Sequence, residues 1–282
     1  MRVLVTGAAG QLGSDLVVAL PGSVGLPRAA LSVTDAGAVL AAVRGFDLVF
    51  NCAADNAVDA AEASPGRAFA VNAEGAANVA RACRSLGARL VHFSTNYVFD
   101  GARSGPHTES DPPAPLGAYG RSKLEGERRV LELLPEALVV RSSGLFGAAG
   151  SAVKGGSFPE RIVRRARAGE PLRVVNDQLL NPTYTADLAR GAAALAEREL
   201  SGIVHLVAED CCSYWELAVA ALELAGLELP VERVSTAELG AAAPRPLHGC
   251  LVSERVSPLR PWRQGLADWW LAWRERSPLT SR

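Results

Sequence analysis

The feature that most constrains this chain is the run VTGAAGQLG at residues 5–13, with glycines at 7, 10 and 13. A short apolar strand, VLV (3–5), precedes it, and a helix-period stretch, QLGSDLVVAL (11–20), follows. A strand-to-helix turn this tight needs a residue without Cβ, and a diphosphate reaches a helix N-terminus only where no side chain blocks it. The third glycine lets helix and strand pack closely. In this position the triplet predicts a dinucleotide-binding turn, spaced GxxGxxG rather than GxGxxG.

The rhythm of the next 130 residues agrees. LVF (48–50), LVHF (90–93) and ALVV (137–140) read as buried strands, separated by helical stretches at 35–45 and 74–87 that end in glycine. Such alternation predicts an α/β fold of Rossmann type, a doubly wound parallel sheet covered on both faces. After residue 145 the pattern breaks into a Gly/Ser-rich loop (142–157), a basic helix (159–169), strand RVV (173–175), strand IVHLV (203–207), a helix over 213–226 and a Trp-rich end. We expect residues 1–145 to form the nucleotide-binding domain and 146–282 mainly a smaller C-terminal substrate-binding lobe. Segments near 173–200 are expected to return to the first domain.

With 282 residues and a formal charge of −1, the chain lacks the basic excess of a nucleic-acid or membrane-surface binder. No stretch approaches the roughly 18 apolar residues of a membrane span, and no leader precedes VLVTG. The five cysteines (52, 83, 211, 212, 250) are odd in number and fit no CxxC framework, which predicts free, mostly buried thiols in a reducing cytoplasm. The four histidines show no metal-ligand spacing, so no metal is expected.

About 20 residues past Gly7, an NAD site would carry a carboxylate. Here the stretch is GLPRAALSVTD, with Arg28 and no acid before Asp35. An arginine suits a 2′-phosphate, so NADPH is favoured, with NADH as the second option. Further on, AYGRSK carries Tyr119 and Lys123, which a helix places on one face, one turn apart. An ammonium beside a phenol is expected to lower its pKa and give an acid/base for a carbonyl or alcohol oxygen. Only two lysines occur in the chain, and one is here. Upstream, HFSTNYVFD (92–100) ends a strand in Ser94-Thr95-Asn96-Tyr97. Such residues cap turns, but the carboxyl ends of strands are also where ligands bind in open α/β sheets.

Thr95, Tyr119 and Lys123 together resemble the Ser/Thr-Tyr-Lys set of the short-chain dehydrogenases/reductases, in their extended, sugar-nucleotide branch. NCAADNAVDAAE (51–62), AVNAEGAANVA (70–80), STNYVFDG (94–101), PLGAYGRSKLEGE (115–127), RSSGLFG (141–147), NDQLLNPTY (176–184) and RPLHGCLVSER (245–255) stand in the order and spacing of dTDP-4-dehydrorhamnose reductases. The resemblance implies an NAD(P)H-dependent reductase of a 4-keto sugar nucleotide, acting as a monomer or homodimer. It assigns Thr95, Tyr119 and Lys123 to catalysis. Cofactor contacts fall to Gly7, Gly10, Gln11, Leu12, Gly13, Arg28, Ser32, Val33, Ala53 and Ala54 besides Tyr119 and Lys123. Substrate contacts fall to Thr95, Asn96, Tyr119, Gly144 and Arg245. The sequence departs from the family at Asn96, usually Asp, at Gly144, commonly Trp near the base, and at Ala60, commonly Lys. Two alternatives stay open. One is an epimerase or dehydratase on the same scaffold; the other is a non-catalytic NADP-binding subunit like the β subunit of methionine adenosyltransferase.

Overall fold

A computed structural model describes residues 1–150 and 155–276. The expected SPLTSR tail (277–282) and the middle of the Gly/Ser-rich loop lie outside the described residues. The first half runs β1 (Val3–Thr6), α1 (Gln11–Ala19), β2 (Val24–Leu26), α2 (Ala36–Val43), β3 (Leu48–Asn51), α3 (Val58–Ala63) and α4 (Pro65–Phe69). A π-helical turn, Ala70–Gly75, then leads into α5 (Ala76–Leu86), β4 (Arg89–Thr95), a 3-10 turn at Asn96–Val98, α6 (Ala118–Leu133) and β5 (Leu138–Ser142). The second half contains β6 (Leu145–Phe146), α7 (Phe158–Arg167), β7 (Leu172–Val175), β8 (Leu179–Leu180), β9 (Thr183–Tyr184), α8 (Thr185–Glu197) and β10 (Gly202–His205). It closes with β11 (Ala208–Glu209), β12 (Cys212–Ser213), α9 (Tyr214–Leu224), β13 (Val231–Val234), α10 (Thr236–Leu239), β14 (Leu259–Pro261) and α11 (Trp262–Arg276).

The main sheet is parallel, with strand order β10-β5-β4-β3-β1-β2. Its inner strands are buried on both faces, which is why they read as unbroken apolar runs. One face packs Leu12 and Leu16 of α1 and Leu188, Ala192 and Leu195 of α8 against Val5, Phe50 and Val140. The other packs Val39 and Val43 of α2, Val79 and Cys83 of α5 and Val130 of α6 against Leu4, Val49 and Leu90. Local signals set the helix ends. Asp35 accepts from the Ala38 amide at 2.9 Å, α5 stops at Gly87 with φ +69°, and capping boxes open α7 (Ser157/Glu160) and α9 (Ser213/Glu216).

The returning segment overlaps the expected 173–200 in part. β7 pairs with β13 in the second lobe, whereas α8 covers the main sheet and β10 extends it beside β5. IVHLV (203–207) therefore supplies an edge strand of the first domain. The second lobe has its own core, in which Trp262, Trp269 and Trp273 of α11 pack with Phe146, Val163 and Leu217. The expectation of free thiols is also corrected. Cys211 and Cys250 form a disulfide, with their Cα atoms 6.1 Å apart across 39 residues of chain, a closeness only the tertiary fold creates. Cys52, Cys83 and Cys212 are free. No helix among the described residues is long and apolar enough to cross a membrane.

Helix α6 lies unusually close to its neighbours. A Cβ added at Gly126 would stand inside van der Waals contact of the Asn72 carbonyl oxygen, while one at Gly66 of α4 would meet nothing within 4 Å. Gly126→Ala should therefore destabilise the fold by about 1–3 kcal/mol through overpacking. Gly66→Ala should be neutral or slightly stabilising. Urea-unfolding midpoints of the two variants check this contrast.

Candidate active site

The glycine loop is shaped for a dinucleotide. Gly7 has φ +66°, and a Cβ there would lie 2.8 Å from the Ala53 nitrogen and the Cys52 carbonyl carbon, so both conformation and space demand glycine. A Cβ on Gly13 would collide with the Gly7 carbonyl, which brings α1 down onto the loop. Gly10 precedes α1 with no side-chain cap, and no acid occupies the first turn. The first-turn amides of a helix lack intrahelical acceptors, so an anion suits this end. Gln11 keeps its Oε1 buried without a partner. Leu12 points into the core, leaving only its backbone to the loop.

On the adenosine side, Arg28 is exposed just past β2 and makes no hydrogen bond or ion pair among the described residues. Ser32 shares a 2.8 Å hydrogen bond with Thr34. Val33 is buried and its carbonyl accepts from Asn78 Nδ2 at 3.0 Å, so it forms the floor under this region and offers no polar group. The Ala53 amide donates to Asn51 Oδ1 at 3.3 Å, and Ala54 follows it exposed at the end of β3.

Strand β4 continues through Thr95, and the side chain then caps the 3-10 turn by accepting from the Tyr97 amide at 3.2 Å. Turn-capping and site-facing roles thus fall on one residue. The Thr95 hydroxyl donates to Asn96 Oδ1 at 3.3 Å and also interacts with the Tyr119 phenol. Tyr119 begins the first turn of α6, whose Ala118 amide donates to Glu62 on α3. The Tyr97 ring meets the Tyr119 ring edge-on at 5.5 Å. One turn along, Lys123 is 2% exposed and donates from Nζ to the Phe93 carbonyl at 2.7 Å. A further turn on, Glu127 forms a buried pair with Arg141 of β5 through contacts of 2.6 and 2.9 Å.

These surroundings correct the expected electrostatics. Burial pushes the Tyr119 phenol up to about 12, with the Thr95 hydrogen bond opposing and Tyr97 and Asp55 adding to the rise. Lys123 contributes nothing resolved to that shift. Burial instead pulls Lys123 itself down to about 8, against the pull of Glu127 and Cys52. The phenol therefore keeps its proton through neutral pH, the form that a proton donor needs.

The three substrate assignments particular to this chain fare differently. Asn96 is 5% exposed and donates from Nδ2 to the Gly249 carbonyl at 2.9 Å. Gly144 sits at φ +58° against Leu180, Asn181 and Pro182, where a Cβ would come within 2.6–3.2 Å. Any side chain at this position, a tryptophan included, would be strained by the backbone and crowded by these neighbours. Arg245 donates to Asp59 Oδ2 at 2.8 Å and to the Ala243 carbonyl at 2.8 Å, and it reaches the Tyr97 phenol. Ala60, between Asp59 and Ala61 on α3, is exposed.

Sequence reasoning gave no site role to Asp59, Glu62 or Tyr214, noted Tyr97 only as part of the strand end, and read the arginine run at 161–167 chiefly as a solvated face with one member suited to a substrate phosphate. Asp59 and Glu62 are three apart on α3, a spacing that faces both toward the site, and this signal was present in NCAADNAVDAAE. Tyr214 opens α9 partly buried, its phenol raised by desolvation and by Tyr97 while Arg245 and Arg161 pull it down. Nothing local marks Tyr214 or Arg161, which meet Tyr97 and Arg245 only because the two lobes face each other.

Comparison with known proteins agrees with this geometry. The family profile described as the RmlD substrate binding domain matches residues 1–273. A dTDP-4-dehydrorhamnose reductase of Mycobacterium tuberculosis is 40% identical over 284 aligned residues, covering 94% of this chain and 91% of the relative. A dTDP-4-keto-6-deoxy-D-glucose reductase of Streptomyces niveus is 37% identical, covering 95% and 96%. The crystal structure of a Bacillus anthracis dTDP-4-dehydrorhamnose reductase in complex with NADP superimposes with a TM-score of 0.90 at 34% identity, covering 96% of this chain and 98% of that one. With a glycine loop, a Thr-Tyr-Lys set and nearly full-length similarity, this chain belongs to the RmlD substrate binding domain family, alongside the dTDP-4-dehydrorhamnose reductases.

Proposed function

We propose that the protein is an NADPH-dependent reductase of a 4-keto sugar nucleotide, converting dTDP-4-dehydrorhamnose to dTDP-L-rhamnose. One observation carries the reading: Thr95, Tyr119 and Lys123 gather at the carboxyl end of β4, two strands from the glycine loop that follows β1. The names of the relatives support the nucleotide and sugar. An epimerase or dehydratase needs a further acid/base beside the tyrosine, and Asn96 is not ionisable.

The amides of Gly10, Gln11, Leu12 and Gly13 would hold the cofactor's diphosphate, with Arg28 and Ser32 at the 2′-phosphate and Ala53 and Ala54 lining the path between. Bound there, NADPH supplies a hydride to the keto carbon. Lys123 gives one ammonium hydrogen to Phe93 and retains two for the nicotinamide ribose. Thr95 and Tyr119 bracket the keto oxygen. As negative charge develops on that oxygen, Tyr119 transfers its proton, so no free alkoxide accumulates. Arg161 and Arg245 face Tyr97 and Tyr214 from the second lobe and suit the substrate diphosphate.

Purified protein should oxidise NADPH when given a dTDP-linked 4-keto-6-deoxy sugar; no turnover beside tight NADP binding would favour a non-catalytic subunit. Tyr119→Phe should reduce kcat by about 100-fold or more while NADPH affinity holds. Retention of most activity would reject Tyr119 as the acid. The pH profile follows from the two shifts. Tyr119 stays protonated until about 12, whereas Lys123 loses its charge as pH rises through about 8. The competent form, phenol with ammonium, is complete below about 8 and declines above it, so kcat/KM should fall there. Lys123→Arg should abolish that alkaline limb. Arg28→Ala should weaken NADPH binding by about 1–3 kcal/mol and leave NADH unchanged, as titration with both cofactors would record.

A further inference from the structure

We propose that Asn96 is a positioning residue that latches the C-terminal strap, residues 243–251, to the catalytic threonine, and that it is not a ligand of the sugar. The inference rests on the reading of Thr95 as the group that orients the keto oxygen. Asn96 is buried, and both ends of its amide are engaged. Nδ2 lies 2.9 Å from the Gly249 carbonyl oxygen, and a carbonyl only accepts, so the nitrogen must face the strap. That orientation leaves Oδ1 toward Thr95, and an amide oxygen only accepts, so the Thr95 hydroxyl must donate to it. At 3.3 Å this is a long bond, one the hydroxyl can exchange for a substrate oxygen. Gly249 is shaped for the contact, since a Cβ there would lie 2.5 Å from Asn96 Nδ2.

The strap is also held by backbone and side-chain hydrogen bonds elsewhere. The Gly249 amide donates to the Leu179 carbonyl at 2.9 Å, and the Leu251 amide donates to Asn181 Oδ1 at 2.7 Å, both within the second half of the chain. Other links to the first domain are Ser143 to the Gly249 carbonyl at 3.3 Å, the His248 amide to Gly101, the His107 amide to Cys250, the Ala243 amide to Asp59 at 3.0 Å, and Arg245 to Asp59 and Tyr97. Asn96 alone among these also touches Thr95. An aspartate, the residue usual in the family, has no hydrogen to give Gly249 when ionised; two oxygens would then oppose each other in a buried site.

The test uses Asn96→Asp and Asn96→Ala in the full-length protein. In Asn96→Asp, kcat should fall about 10- to 100-fold at pH 8, with KM little changed, because an acceptor faces a buried acceptor. Activity should recover as pH falls, since the protonated carboxyl donates to Gly249. Tyr97 and Tyr119 beside it, Lys123 on α6, and Arg245 and His248 on the strap are also titratable; Asn96→Ala shares them all and should show the kcat loss without acid recovery. Hydrogen exchange at amides 247–251 should quicken in both variants at pH 8, a readout independent of turnover. If exchange is unchanged, or if Asn96→Asp alters KM for different sugars without changing kcat, the latch is wrong. If exchange quickens but the wild type reduces no keto sugar, the latch stands and the proposed reaction falls.

Discussion

Everything at the site depends on how closely α6 approaches the backbone of its neighbours. A Cβ on Gly120 would collide with the Tyr97 carbonyl and one on Gly126 with the Asn72 carbonyl, so the helix rests on main chain along one face. Asn72 belongs to the π-helical turn, where an extra residue per turn rotates its side chain to reach Ser122 at 2.9 Å and the Asp55 amide at 2.8 Å. Glu62 meets the open amide of Ala118 at the N-terminus. Two turns past Tyr119, Glu127 holds Arg141 in a pair almost free of solvent, and the Arg141 guanidinium lies 5.1 Å from the Phe99 ring. A buried pair of this kind contributes little net stability but strongly resists loss of either partner. Its geometry fixes the rotation of α6, and that rotation aims Tyr119 and Lys123 at the end of β4.

The second lobe is joined to this frame in a different manner. Its own core is aromatic and self-contained around Trp269. Its attachment beside the catalytic groups is polar: Asn96 and Ser143 donate to the Gly249 carbonyl, while Arg245 meets Asp59 and Tyr97. Hydrogen bonds specify direction where apolar packing does not, so a polar seam fixes how these groups meet. The disulfide between Cys211 and Cys250 ties the strap to the loop before β12, within that same lobe.

The sequence was most legible where burial is complete on both faces. β1, β3, β4 and β5 are apolar runs because helices cover the sheet on each side. β2 escaped notice because Val24-Gly25-Leu26 is a short, partly exposed edge. Asp59 and Glu62 carried a helical spacing but no sign of their partners, which lie 56 or more residues away. The expected depression of the Tyr119 pKa failed for a similar reason. Helical spacing correctly put Lys123 one turn away, yet its ammonium is held by the Phe93 carbonyl and burial dominates the phenol. The positive φ of Gly144 was also illegible, since it is set by Leu180, Asn181 and Pro182 packed against it.

By itself the sequence determined the glycine loop, the α/β order and the one-turn spacing of tyrosine and lysine, because each depends on neighbours within a few residues or on the period of a single element. Tertiary structure alone decided which strands completed the sheet, which cysteines met, and which way the Asn96 amide faces. Those outcomes depend on groups brought together from distant parts of the chain, as when Gly249 reaches Asn96 across 153 residues. Such a contact has no period and no local propensity to announce it; it exists only once the helices have found their grooves.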